Sequence, residues 1–204
     1  MNFPLVDKQA LALLALKHAR EFAIAGVDEK TGHNDGVQID KFEKVFGLQG
    51  QSWCAMFQYW CYAKAYCDLA TIPYNAQNAV DVFTACLDHL NSRYVLFSPS
   101  CGTMIQGAKL RGIFHEYTQA SDMLKIKPGH YVMYDWKKGT DTPERHIGIF
   151  DHAVVPWLHS GNQFVDVEGN TSSGDAGSQS NGGGAFIRHR LADPACILGW
   201  ISTY

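Results

Sequence analysis

Cys54 stands in the run Gln51-Ser52-Trp53-Cys54-Ala55-Met56-Phe57-Gln58-Tyr59-Trp60, where a serine suited to capping a helix precedes an apolar, aromatic segment. A cysteine in the first turn of a helix meets free backbone N–H groups and the positive end of the helix dipole, which favour thiolate over thiol. The same N–H groups can stabilise an oxyanion on a carbonyl that the sulfur attacks. The pattern points to a sulfur nucleophile, set against the bland alternative of an inert cysteine buried beside a core tryptophan. Cys61, two turns further along, fits that alternative.

A sulfur nucleophile needs a base, and the chain carries nine histidines. His146 opens His146-Ile147-Gly148-Ile149-Phe150, in which period-two alternation puts His146, Gly148 and Phe150 on one face of a strand. A strand holds an imidazole rigidly, and Gly148 is expected to leave room in front of it. His152, His159 and His189 compete with it by pattern alone. The third group comes from Phe164-Val165-Asp166-Val167-Glu168-Gly169-Asn170-Thr171. Alternation places Phe164, Asp166 and Glu168 on one face, joined by Asn170 if the strand continues. A carboxylate or amide there can accept the second N–H of a histidine and fix its tautomer, which completes a Cys/His/acid set. Glu168 and Asn170 both qualify, and both equally suit the end of a strand and the start of a turn.

The elements that must position these groups follow from hydrophobic period. Leu11, Leu14, Ala15, His18 and Phe22 make one stripe, so a helix is expected over residues 6–25 with Gly26 as its cap. A short helix over 38–46 stops at Gly47, and a third opens at Ser52 and runs to about Asp68 with Phe57, Trp60 and Tyr66 inward. A fourth over 76–89 buries Val80, Phe83 and Leu87. Short β-prone runs follow at 131–136, 146–151, 163–168, 185–190 and 197–203, separated by Gly, Pro, Asn and Asp clusters. Helices first and consecutive strands afterwards mean an α+β domain with an antiparallel sheet. Residues 91–127 read as a less regular insertion, and Gly169 to Gly184 as a mobile hairpin loop. That loop lacks the Lys-Ser/Thr ending and following helix of a phosphate-binding loop. Tyr134, Trp136 and Trp157 suit stacking on sugars, although aromatic residues in strands more often belong to the core.

Length and composition limit the function classes. The 204 residues suit one domain, 1–204; 46% hydrophobic and 18% charged residues fit a packed globule. A net charge of −3 without a basic run argues against nucleic-acid binding. The apolar run Ala10 to Leu16 is too short to span a membrane, and no export signal or membrane insertion is expected. The six cysteines show no metal-ligand spacing, so no metal is expected, and most should be reduced, buried and small.

The string Trp53-Cys54-Ala55-x-Phe57-x-x-Trp60, the turn Lys127-Pro128-Gly129, His146-Ile147-Gly148-Ile149 and Glu168-Gly169-Asn170-Thr171 together resemble the successive motifs of the CHAP family, the cysteine, histidine-dependent amidohydrolases/peptidases. The approach through Asn34-Asp35-Gly36, Phe42, Gly47 and Gly50 is similar as well. The likeness spans about residues 31–203, with Asn75 to Leu124 outside it. It implies a papain-like fold in which N-terminal helices carry the nucleophile and pack on an antiparallel sheet. It also implies cleavage of an amide bond in peptidoglycan, by an N-acetylmuramoyl-L-alanine amidase or a stem or cross-bridge endopeptidase. By the same likeness Cys54 is the nucleophile, His146 the general base and then acid, Glu168 the residue that orients His146, and Asn170 an assistant at the same site. No cofactor is implied, and the calcium-binding acidic loop of some relatives is not recognisable before Cys54. His130 replaces the Asp that usually follows Pro-Gly. A phage lysin and an antibacterial effector are equally compatible, acting at the cell wall as a monomer, with a holin, secretion system or immunity protein as partner. The alternatives are a silent module that binds wall peptides and a hydrolase of a non-wall amide.

Overall fold

Asp7 caps the first helix by accepting from the Ala10 N–H, and Gly26 closes it in the left-handed conformation at φ 74°, so α1 runs Lys8–Ala25. In the computed structural model, which describes residues 3–154, 163–174, 178–179 and 181–204, four more helices follow. They are α2 (Ile39–Lys44), α3 (Cys54–Leu69), α4 (Ala79–Arg93) and α5 (Cys101–Leu110). Then come β1 (Phe114–Glu116), a 3-10 helix (Ala120–Lys125), β2 (Tyr131–Asp135), β3 (Arg145–Val154), β4 (Gln163–Thr171), β5 (Gly184–Leu191) and β6 (Ile197–Ile201). One antiparallel sheet takes the order β1-β6-β2-β3-β4-β5, so the molecule is of the α+β kind.

Core residues lie on both faces of the sheet. Tyr131, Met133, Ile147, Ile149, Val167 and Ile201 face the helices and join the larger core. Val132, Tyr134, Phe150, Phe164 and Trp200 point the other way, where Tyr117, Met123 and Ile126 cover them. α3 is buried nearly all round, from Cys54 to Cys67, because α1, α2, α4 and the sheet surround it. Gly129, at φ 90°, lets the turn before β2 press on α1: a Cβ there would meet the Ala12 carbonyl oxygen at 2.8 Å.

The structure refines several sequence expectations. α3 begins at Cys54 with Trp53 in the cap position, and the Ser52 hydroxyl instead donates to Asn181 Oδ1 at 3.3 Å. α4 buries Ala79, Val82, Phe83, Cys86 and Leu90, so Val80 and Leu87 lie only half-buried at the margin of that stripe. Residues 91–127 are well ordered into elements: α5 packs on β1 and β3, and β1 pairs with β6 at the edge of the common sheet. Trp157 and His159 lie outside the described residues, as do 175–177 and 180 of the Gly169–Gly184 segment.

Candidate active site

Cys54 is the first residue of α3 and His146 the second of β3, and both are buried. Register places Gly148 of β3 opposite Glu168 of β4, so the β4 carboxylate lies beside the start of β3. The missing side chain of Gly148 does not leave an empty space before the imidazole. A Cβ there would collide with the Asp166 carboxylate and come within 3.0 Å of Glu168 Cγ, so the glycine admits the carboxylates across the strand.

Glu168 Oε2 lies 2.9 Å from His146 Nε2. The contact fixes the ring and leaves Nδ1, which makes no hydrogen bond among the described residues, as the atom available to sulfur and substrate. Glu168 is itself held by a fork from β5: Arg190 Nε donates to Oε1 and Nη2 to Oε2, each at 2.6 Å. Arg190 also stacks over Trp136, with its guanidinium carbon 5.0 Å from the ring centroid, and Trp136 stacks on Tyr134 at 4.9 Å. Tyr134 is thus a core residue, and its hydroxyl donates to Asp166 Oδ2 at 2.6 Å.

The charges follow from this packing. Burial alone would raise the Glu168 carboxyl, but the His146 charge and the Arg190 hydrogen bonds outweigh it and hold Glu168 ionised well below the usual carboxylate range. Asp166, buried beside that carboxylate, is pushed far up and stays protonated. Burial disfavours a charged His146, yet the Glu168 carboxylate and the Cys54 sulfur reverse the effect and lift it to about 9. Cys54 is drawn well below the ordinary thiol range, first by its hydrogen bond with Cys101 and then, against burial, by His146. The packing thus favours the thiolate of Cys54, the imidazolium of His146 and the carboxylate of Glu168 beside the Arg190 guanidinium. Such a set can attack a carbonyl with sulfur and hand a proton to the leaving group.

Asn170 is brought to the nucleophile's side of the cluster. A bulge between Glu168 and Thr171 and a left-handed backbone at φ 59° end the alternation that would have placed it beside Glu168. With its amide turned to satisfy both ends, it accepts from the Trp53 N–H at 3.2 Å and donates to the Gly182 carbonyl at 2.8 Å. The Trp53 indole N–H donates to Glu29 Oε1 at 3.0 Å, so the residue before Cys54 is tied down twice. Gly169 lets β4 approach here, since a Cβ would meet Trp53 and Phe57 carbons at 2.7 Å.

Among the rival histidines, His152 is exposed and pairs with Asp151 at 3.1 Å, while His189 is exposed and registers with Val165. A cavity of about 560 Å³ is bordered by Ser52, just before α3, and by Lys137, Glu144, Arg145 and Asn181; Cys54 and His146 do not line it. A second cavity, of about 600 Å³, lies behind Arg190 and Trp136, and neither Cys54 nor His146 lines it. Among the described residues no three His, Cys, Asp or Glu side chains gather as a metal would require, and no helix is long and apolar enough to cross a membrane.

Arg190, Glu29 and Cys101 were not singled out from the sequence, and Asp166 was placed on the Glu168 face without a role of its own. Arg188 and Arg190 alternate on β5 as Asp166 and Glu168 do on β4, a complementarity visible only once the strands are paired. Ser100-Cys101 had a local signal, a capping serine directly before a cysteine. No protein-family model, curated protein or solved structure matches the chain.

Proposed function

We propose that the protein is a papain-like cysteine amidohydrolase of the CHAP kind, acting on an amide bond of peptidoglycan. The observation that carries the reading is the His146 ring, fixed through Nε2 to Glu168 at 2.9 Å, with Cys54 at the first residue of a helix. The motif resemblance supports the wall polymer as substrate. In the reaction the Cys54 sulfur attacks the amide carbonyl, and the N–H groups at the start of α3 stabilise the oxyanion. His146 gives its proton to the departing amine as the C–N bond breaks. Water, deprotonated by His146, then releases the acyl group from sulfur.

Mass spectrometry of muropeptides and sacculi, incubated with wild type and Cys54→Ala, tests this. New fragments from the wild type alone are expected, and their masses name the bond. Intact substrate across several wall types would overturn the wall assignment, and cleavage by Cys54→Ala would overturn the nucleophile.

A further inference from the structure

The Cys54 and Cys101 sulfurs lie 3.7 Å apart. Both cysteines open helices, Cys54 at α3 and Cys101 at α5, where the Ser100 hydroxyl accepts from the Thr103 N–H at 3.3 Å. Two positive helix ends thus converge on two thiols, and Arg145 adds a third positive group, its guanidinium lying where a side chain on Gly102 would go. The two sulfurs lie within hydrogen-bonding reach, and their contact lowers Cys54 and raises Cys101, which favours thiolate at Cys54 and thiol at Cys101. A thiolate reacts with peroxide, and a neighbouring thiol condenses with the sulfenic acid so formed.

The molecule contains its own control. Cys67 and Cys86 sulfurs are 3.8 Å apart, but both residues are fully sealed, whereas Cys54 and Cys101 are 3% and 6% exposed. Cys67 sits in the last turn of α3 and Cys86 in the middle of α4, away from any helix start. Separation does not distinguish the two pairs; access and local charge do.

We propose that Cys54 and Cys101 form a dithiol modification site that a hydroperoxide converts to an intrachain disulfide. The Cys54 thiolate attacks the peroxide, the O–O bond breaks, and Cys54 sulfenic acid and one water form once the released oxygen is protonated. Cys101 sulfur then attacks the Cys54 sulfur as its own proton leaves, the S–O bond breaks, and the hydroxide departs as a second water. Two thiols and one hydrogen peroxide thus give one disulfide and two waters. The bond needs the sulfurs to close from 3.7 Å to ~2.0 Å. That oxidation silences hydrolysis rests on the function proposed above; formation of the disulfide does not.

The test treats the native, full chain with hydrogen peroxide, counts thiols and maps peptides by mass spectrometry. The expected result is the loss of two thiols, recovered as a Cys54–Cys101 linked peptide, restored by dithiothreitol, with Cys67 and Cys86 still reduced. In Cys101→Ser and Cys101→Ala, Cys54 should pass to sulfinic acid, which dithiothreitol does not reverse. Sulfinic acid at Cys54 of the wild type with Cys101 still a thiol would overturn the proposal, as would linking of Cys67 to Cys86 to the same extent. A protein that forms the disulfide yet leaves muropeptides intact overturns only the hydrolase reading. One that cleaves muropeptides and forms no disulfide overturns only the dithiol site.

Discussion

Cys54 and His146 move each other's protons in opposite directions, and the pH dependence of the site follows from that. His146, lifted to about 9, keeps its proton through neutral pH, and the leaving amine needs that proton. Cleavage should therefore fall as pH rises through about 9, while the acidic limb reports protonation of Cys54 below the ordinary thiol range. Glu168→Gln removes the negative charge that lifts His146, so the alkaline limb should move down, toward the ordinary value of 6.5; an unmoved limb would show that Glu168 does not set it. His146→Ala takes away a group that favours the thiolate. Iodoacetamide should then alkylate Cys54 more slowly near pH 7 than in wild type, measured by peptide mapping. The positions of these residues were legible in the sequence because each rests on local order: a cysteine after a serine-tryptophan pair, a histidine opening a strand, a carboxylate in alternation. Cys101 was not, because its meaning lies in a contact with a residue far away in the chain.

Between elements, the site depends on β3, β4 and β5 lying in register. Arg190 reaches from β5 to a buried Glu168 on β4, and Arg190→Met would strand that carboxylate with His146 as its one charged partner. Losing half of a buried ion pair costs roughly 3–5 kcal/mol, to be read as a lower urea midpoint. A midpoint within error of wild type would show that the fork contributes little. Gly129→Ala forces a side chain onto the Ala12 carbonyl from a left-handed backbone, and roughly 1–3 kcal/mol of destabilisation is expected from strain of this kind. Strand alternation was readable as far as Glu168. It failed at Asn170, where the bulge turns the chain, since nothing in Gly169-Asn170-Thr171 distinguishes a bulge from a strand end. The α4 stripe was misplaced for a related reason: Val80 and Leu87 lie beside Ala79, Phe83 and Cys86, and only packing chooses between overlapping stripes.

Across the whole molecule, the two faces of one sheet share their strands, so neither core can melt without exposing the other. Trp53 and Trp60 belong to the helical side and Trp136 and Trp200 to the far side. Tryptophan fluorescence and far-ultraviolet circular dichroism should report one coincident unfolding transition. Two separated transitions would mean that the faces are independent units. The order of the strands carries a consequence for biosynthesis. β6 lies between β1 and β2, although β1 and β2 both precede it in the chain. While a ribosome is still translating the residues after Leu191, β1 has no strand to pair with, and α5 can pack on β3 but lacks a fixed β1 beside it. A nascent chain therefore holds the helix of Cys101 on one side only, so the thiol pair is secured last, with the finished fold. A chain stopped after Leu191 should accordingly alkylate faster at Cys101 than the full chain does.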